Sequence, residues 1–235
     1  EMYLHPSAAN QMRDTIYELS TQDSQILATT HSPYLIDLSR KPRQVLNRFA
    51  CAGGAIQVQS FSVTDVFRSL LDEDRDYVKM ILKVDDYVAR VFFTKRIVVV
   101  EGDTEDIVIR ETLRRLPREK RLGVLATTEI IKARGKASII GLTKYLKAMG
   151  IAPTVIHDRD TGVAGAEKFN APIEAAVGKD NVIALCECIE DVLGYAAPTS
   201  EKPYTAYSFT KAWGDQWNDV PAPWRAVIEK AFDIK

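Results

Sequence analysis

The sequence predicts an α/β protein, with a parallel sheet flanked by helices. Three observations carry that prediction. Ile97, Val98, Val99 and Val100 form an uninterrupted β-branched run, as in a strand buried on both faces. Residues 154–157 and 181–185 supply similar short runs, and the segments between them place apolar residues at helical spacing. Each run ends in acids: Glu101 and Glu105, then Asp158 and Asp160, then Glu187, Glu190 and Asp191. Open α/β sheets bind their ligands at that carboxyl edge.

Composition narrows the class. A chain of 235 residues fits one large domain or two small ones. At 46% hydrophobic and 27% charged it has the balance of an ordinary soluble globular protein. No apolar run approaches the roughly 20 residues of a membrane span, and the N-terminus has no signal-peptide pattern. Three cysteines (Cys51, Cys186 and Cys188) make no disulfide framework and fit a reducing, cytoplasmic compartment. Cys186 and Cys188 lack a second ligand pair for zinc. A net charge of −1 does not announce a nucleic-acid binder, so contact with DNA would need a local basic patch or metal ions. The opening Glu1-Met2 reads as mid-domain sequence, and the chain is expected to be a fragment.

Taken in order, Met12, Ile16 and Leu19 predict a first helix, residues 25–30 a strand, and residues 34–38 a second helix after His31, Ser32 and Pro33. Gly53-Gly54 marks a turn, and residues 55–61 alternate as a strand. A helix over 63–71 precedes a charged break at 72–75. Tyr77, Ile81, Val84, Val88 and Val91 then repeat as a connector helix.

After the 97–100 strand, Gly102 permits a turn, Asp103 is expected to cap a helix, and Asp106 stands at capping-box spacing. That helix runs to Leu116 before Pro117. Arg110, Arg114, Arg115, Arg118, Lys120 and Arg121 form the most basic stretch, a DNA-backbone patch or a solvated face. A further strand lies in 123–128 or in 129–131. The turn with Arg134, Gly135 and Lys136 then offers Arg134 and Lys136 as phosphate contacts. A helix over 138–149 closes at Gly150. Asp158 and Asp160, two apart, would share one side of an extended segment. Helices are expected over 171–177, 208–213 and 224–232, with Trp213, Trp217 and Trp224 covering the core.

Several unpaired carboxylates in one cleft repel strongly unless a hard cation joins them. Mg²⁺ and its relatives take oxygen ligands, and no His or Cys belongs to this set. Two such ions bridged by carboxylates suit phosphodiester cleavage.

The motifs carry a resemblance. Glu101 at one strand end and Asp158-Arg159-Asp160 at a later one resemble the signature of the Toprim domain. Upstream, Leu4-His5-Pro6 and the later Thr30-His31-Ser32-Pro33 resemble the end of an ABC-type ATPase domain. There Glu1 would follow the Walker B strand and His31 would be the switch residue. No Gly-x-x-x-x-Gly-Lys-Ser/Thr occurs, so this fragment is not expected to hydrolyse ATP. The order ATPase end, helical connector, Toprim is similar to the OLD (overcoming lysogenization defect) family of nucleases.

That resemblance implies a Toprim-like parallel sheet, with an ATPase remnant at 1–60, a connector at 61–94 and a nuclease domain with helical tail at 95–235. It implies that Glu101, Glu105, Asp158, Asp160 and Glu190 bind Mg²⁺ or Mn²⁺ (Ca²⁺ is a third choice), and that Lys202 stabilises transition-state charge. Glu187 or Asp191 could replace Glu190, and Lys211 could replace Lys202. Ile189 stands where the family often has Phe. The partners implied are DNA, the protein's own missing ATPase domain with its ATP, and a second copy in a homodimer; no membrane is involved. Other Toprim activities (primase or topoisomerase), a non-catalytic metal-binding or assembly module, and a phosphatase reading of Asp158-x-Asp160 are the rivals.

Overall fold

The computed structural model describes residues 4–39, 43–84 and 86–234. Glu1 lies outside them. Helix α1 (Pro6–Leu19) starts with Pro at a position needing no amide donor, and the His5 ring accepts the Ser7 N–H. The strand expected over 25–30 does not form. That segment has no regular structure and no ladder partner among the described residues, and Leu27 is 90% exposed. The helix expected after Pro33 is a single 3-10 turn, Pro33–Leu35.

Strands β1 (Val45–Ala52) and β2 (Ala55–Ser62) make an antiparallel hairpin, in register from Val45↔Ser62 to Ala52↔Ala55. Gly53 (φ 59°) and Gly54 (φ 79°) supply the positive φ pair of a two-residue hairpin turn. Strand β1 escaped sequence analysis because its apolar residues fall on both faces: Leu46 packs on the core while Val45 and Phe49 are exposed.

Helix α2 (Val63–Ser69) leads to α3 (Asp72–Val84). The expected charged break is therefore the first turn of α3, where Asp72, Glu73 and Asp74 complement the helix dipole. A 3-10 segment, Asp86–Phe92, completes the connection to the sheet.

The main sheet follows. Strand β3 (Arg96–Val100) leads into α4 (Asp103–Arg114) and α5 (Arg118–Thr127). Next come β4 (Thr128–Lys132) and α6 (Lys136–Ala148). Of the two places offered for the second strand, 129–131 lies in β4 and 123–127 is helical. Strand β5 (Thr154–His157), α7 (Ala164–Glu167), α8 (Asn170–Val177), β6 (Val182–Ala184) and α9 (Ile189–Leu193) continue the alternation. The tail is α10 (Lys202–Thr210) and α11 (Ala222–Phe232). Helix α10 starts earlier than expected because Pro203 is tolerated in a first turn.

The four strands run parallel in the order β4-β3-β5-β6. Their alternation divides the core. Ile97 and Val99 face a layer containing Ile81, Ile139, Leu142 and Leu146 from α3 and α6. Val98 and Val100 face the other layer, with Val108 and Ile109 of α4 and Trp224 and Ile228 of α11. This is the expected Toprim-like sandwich of helix, parallel sheet and helix. Trp224 is fully buried, whereas Trp213 and Trp217 are partly buried at the rim of its layer. No helix among the described residues is long and apolar enough to cross a membrane.

The buried Trp224 indole N–H donates to Thr112 Oγ1 at 2.8 Å, joining α11 to α4. Thr112→Val removes that acceptor while keeping the volume. The unpaired donor should lower stability by about 1–3 kcal/mol. Urea unfolding should show an earlier midpoint at unchanged slope; an unchanged midpoint would show that the bond contributes nothing.

Candidate functional site

Parallel strands bring their carboxyl ends to one edge. Val100 pairs with Lys132 and Ile156, and His157 with Ala184, so the residues after β3, β5 and β6 emerge together. Glu101 follows β3 directly. Gly102, rather than Asp103, is the cap of α4. Glu105, not Asp106, closes that turn: its Oε2 accepts the Gly102 N–H at 2.8 Å. Glu105 is only 5% exposed.

After β5 the backbone does not stay extended. Asp160 sits at φ 50°, so Asp158 and Asp160 are not related as neighbours on one strand face. The loop is braced by Glu187. Its carbonyl accepts the N–H groups of Arg159 (2.9 Å) and Asp160 (3.0 Å), and its Oε2 accepts that of Thr161 at 2.9 Å. Glu187, an alternative to Glu190 as a metal ligand, thus has one carboxylate oxygen engaged by the backbone.

Glu190, in the first turn of α9, is 1% exposed. Neither carboxylate oxygen has a hydrogen-bond partner of normal geometry. The Cys188 thiol, a weak donor, lies beside it. Lys202 Nζ stands 4.0 Å from Glu190 Oε1. Lys211 instead lies over the Tyr207 ring, and Asp191 is exposed.

The acids sense one another. Burial first, then Glu105, Glu101, Asp160 and Glu190, push Asp158 up to about 8. Burial and Glu105 push Glu101 up to about 7, with the Lys136 ammonium acting the other way. Burial also raises Glu105, against its own main-chain hydrogen bonds. Glu101 Oε2 and Asp158 Oδ1 are, like both Glu190 oxygens, buried without a hydrogen-bond partner. Oxygen-only donors that are buried, unsatisfied and mutually repelling suit a hard divalent cation. Among the described residues, no three acidic, His or Cys side chains already stand at ligand spacing. Two of the acids are turned to internal partners: Glu105 to Gly102 and Asp160 to Lys136.

The two expected phosphate contacts diverge. Arg134 is exposed, at φ 63°, on a turn pinned by the Gly135 N–H to the Glu101 carbonyl at 3.0 Å. Lys136 has a side chain only 3% exposed and faces inward, with Nζ 2.6 Å from Asp160 Oδ2. Within the basic stretch, Arg110 pairs with Asp106, Arg114 and Arg115 share Glu111, and Arg121 donates to the Arg114 carbonyl, so these arginines are partly engaged within the chain. His31 is exposed at a bend before the 3-10 turn.

These acids have an inverted pH sign. Glu101 and Asp158 rise from ordinary values of 4.5 and 3.8 to about 7 and about 8. The folded chain then holds protons that the unfolded chain releases, so their stabilisation is present below about pH 4 and is lost as pH rises towards 8. In chelator, Asp158→Asn should therefore flatten the fall of melting temperature between about pH 5 and 8.5. Parallel profiles for the variant and the parent would contradict this.

Comparison with known proteins agrees with the geometry. Residues 92–160 match the family model described as "Overcoming lysogenization defect protein-like, TOPRIM domain", and residues 1–36 match "AAA ATPase domain". The chain is 28% identical to the OLD nuclease of Thermus scotoductus over 87% of its length and 41% of that protein. It is 24% identical to the Old nuclease of Escherichia phage P2, over 68% of the chain and 26% of that protein. The chain thus spans less than half the length of either relative. It resembles the OLD-type nucleases along most of its length and carries, at residues 92–160, an OLD-like TOPRIM domain preceded by a segment of an AAA ATPase domain.

Proposed function

We propose that this chain holds the catalytic centre of a divalent-metal-dependent DNA nuclease that hydrolyses phosphodiester bonds. One observation carries the reading: buried carboxylate oxygens of Glu101, Asp158 and Glu190 lack hydrogen-bond partners at the carboxyl edge of a parallel sheet. The relatives' names, OLD nuclease, support it.

Glu101, Asp158 and Glu190 would hold Mg²⁺ or Mn²⁺, with Glu105 and Asp160 completing the ligand set; Ca²⁺ is a further candidate. Divalent ions bound there would supply Lewis-acid polarisation of the phosphate. The chain's own residues do the rest. Glu105 fixes the Gly102 turn, and with it the direction of Glu101. Glu187 braces the loop that carries Asp158 and Asp160. Lys202, half-exposed beside Glu190, presents positive charge to the charge that develops on phosphate. Arg134, exposed on the adjoining turn, would contact the DNA backbone. Residues 1–60 would close an ATPase domain that binds ATP elsewhere in the protein, residues 61–94 would link it to the nuclease, and the whole would act as a cytoplasmic homodimer.

Supercoiled plasmid with Mg²⁺ or Mn²⁺ tests the reading. Nicking should vanish in Glu101→Ala and Asp158→Ala, and Lys202→Ala should slow it on the order of 10²-fold. Nicking that survives both acid substitutions would refute the site. Mn²⁺ binding without cleavage under any metal would favour a binding or assembly module instead.

A further inference from the structure

Lys136 has no role in that scheme, yet it is among the most deeply buried charges of the molecule. It stands at the first position of α6, where the helix dipole disfavours a cation. Something stronger must hold it there. Its ammonium has three N–H donors, and the structure gives it three acceptors: Asp160 Oδ2 at 2.6 Å, the Arg159 carbonyl at 3.1 Å and Asn170 Oδ1 at 3.2 Å. Asn170 is itself fixed, donating through Nδ2 to the same Arg159 carbonyl at 2.7 Å. No donor is left for a phosphate, so the inward lysine is not a DNA contact in this conformation.

Its position is tied to the acids by the backbone as well. The Gly135 N–H, one residue before it, donates to the Glu101 carbonyl at 3.0 Å. The residues it grips, Arg159 and Asp160, are those whose N–H groups Glu187 holds. Lys136 is thus built into the acidic edge, with one of its closest contacts on a carboxylate that the nuclease reading needs for metal.

We infer that Lys136 is a resident counter-cation of the acidic site: it holds Asp160 when no divalent ion is present, and a divalent ion must compete with it for that carboxylate. The inference rests on reading the site as a metal centre. It has two consequences. Without metal, one ammonium offsets part of the repulsion among Glu101, Asp158 and Asp160. With metal, the same ammonium opposes an incoming double charge, so the native site binds divalent ions more weakly than its carboxylates alone would.

Lys136→Met keeps the aliphatic stem and removes the charge. Calorimetric titration with Mn²⁺, and separately with Ca²⁺, reads affinity without turnover; melting in chelator reads the metal-free state. The variant should melt lower in chelator and bind Mn²⁺ roughly tenfold more tightly. A purely structural lysine would lower the melting temperature without tightening metal binding, which would overturn the inference. Weaker binding would overturn it too, making Lys136 a positioning residue for Asp160. If Lys136→Met does not fold in chelator, Lys136→Gln, which removes the charge but keeps an amide donor for the Arg159 carbonyl, decides by the same titration: tighter binding supports competition and unchanged or weaker binding overturns it. Parent protein that binds no Mn²⁺ at all would instead refute the metal reading.

Discussion

A buried carboxylate with an unpaired oxygen is among the least favourable groups a fold can hold. This protein gathers several at one edge, and the rest of the structure is arranged around that constraint. A parallel sheet makes the gathering possible, because strands that run the same way end on the same side. The β-branched interior of β3 and β5 fixes their height, and the two apolar layers clamp the sheet from both faces. Burial of the sheet between two apolar layers offsets the cost of a repelling edge.

The acids divide by how each is held. Glu187 and Glu105 spend oxygens on main-chain N–H groups and set the shape of the loops. Asp160 leans on Lys136, and Lys202 stands at the limit of ion-pair range from Glu190. Glu101, Asp158 and Glu190 retain buried oxygens without hydrogen-bond partners. A fold that wanted only helix capping would not leave those three unsatisfied. Oxygen donors left in that state suit a hard cation, which is the basis of the proposed function.

Much of this was legible in the sequence, for identifiable reasons. Strands β3, β5 and β6 announced themselves through short apolar runs, Ile97 to Val100, Val155-Ile156 and Val182-Ile183, and their ends through the acids that follow each run. The tail resisted: α10 begins at Lys202, where Pro203 reads as a breaker but serves in a first turn. Residues 25–30 misled in the other direction, having the composition of a strand but no strand partner among the described residues. Within the site, residue types were readable and directions were not. Nothing in a run of letters says that Glu187 turns to a backbone N–H, that Asp160 adopts a positive φ, or that Lys136 points inward while Arg134 points out. Those choices are settled by contacts between segments more than twenty residues apart, such as Lys136 with Asp160.

The proposal that this acidic edge binds divalent metal is open to a direct structural test. Anomalous diffraction from crystals soaked in Mn²⁺ addresses it most directly, since it locates the ion without requiring turnover. Anomalous density is expected among Glu101, Asp158 and Glu190, with Asp160 or Glu105 turned towards it. Ordered Mn²⁺ found only elsewhere, with these carboxylates unmoved, would contradict it.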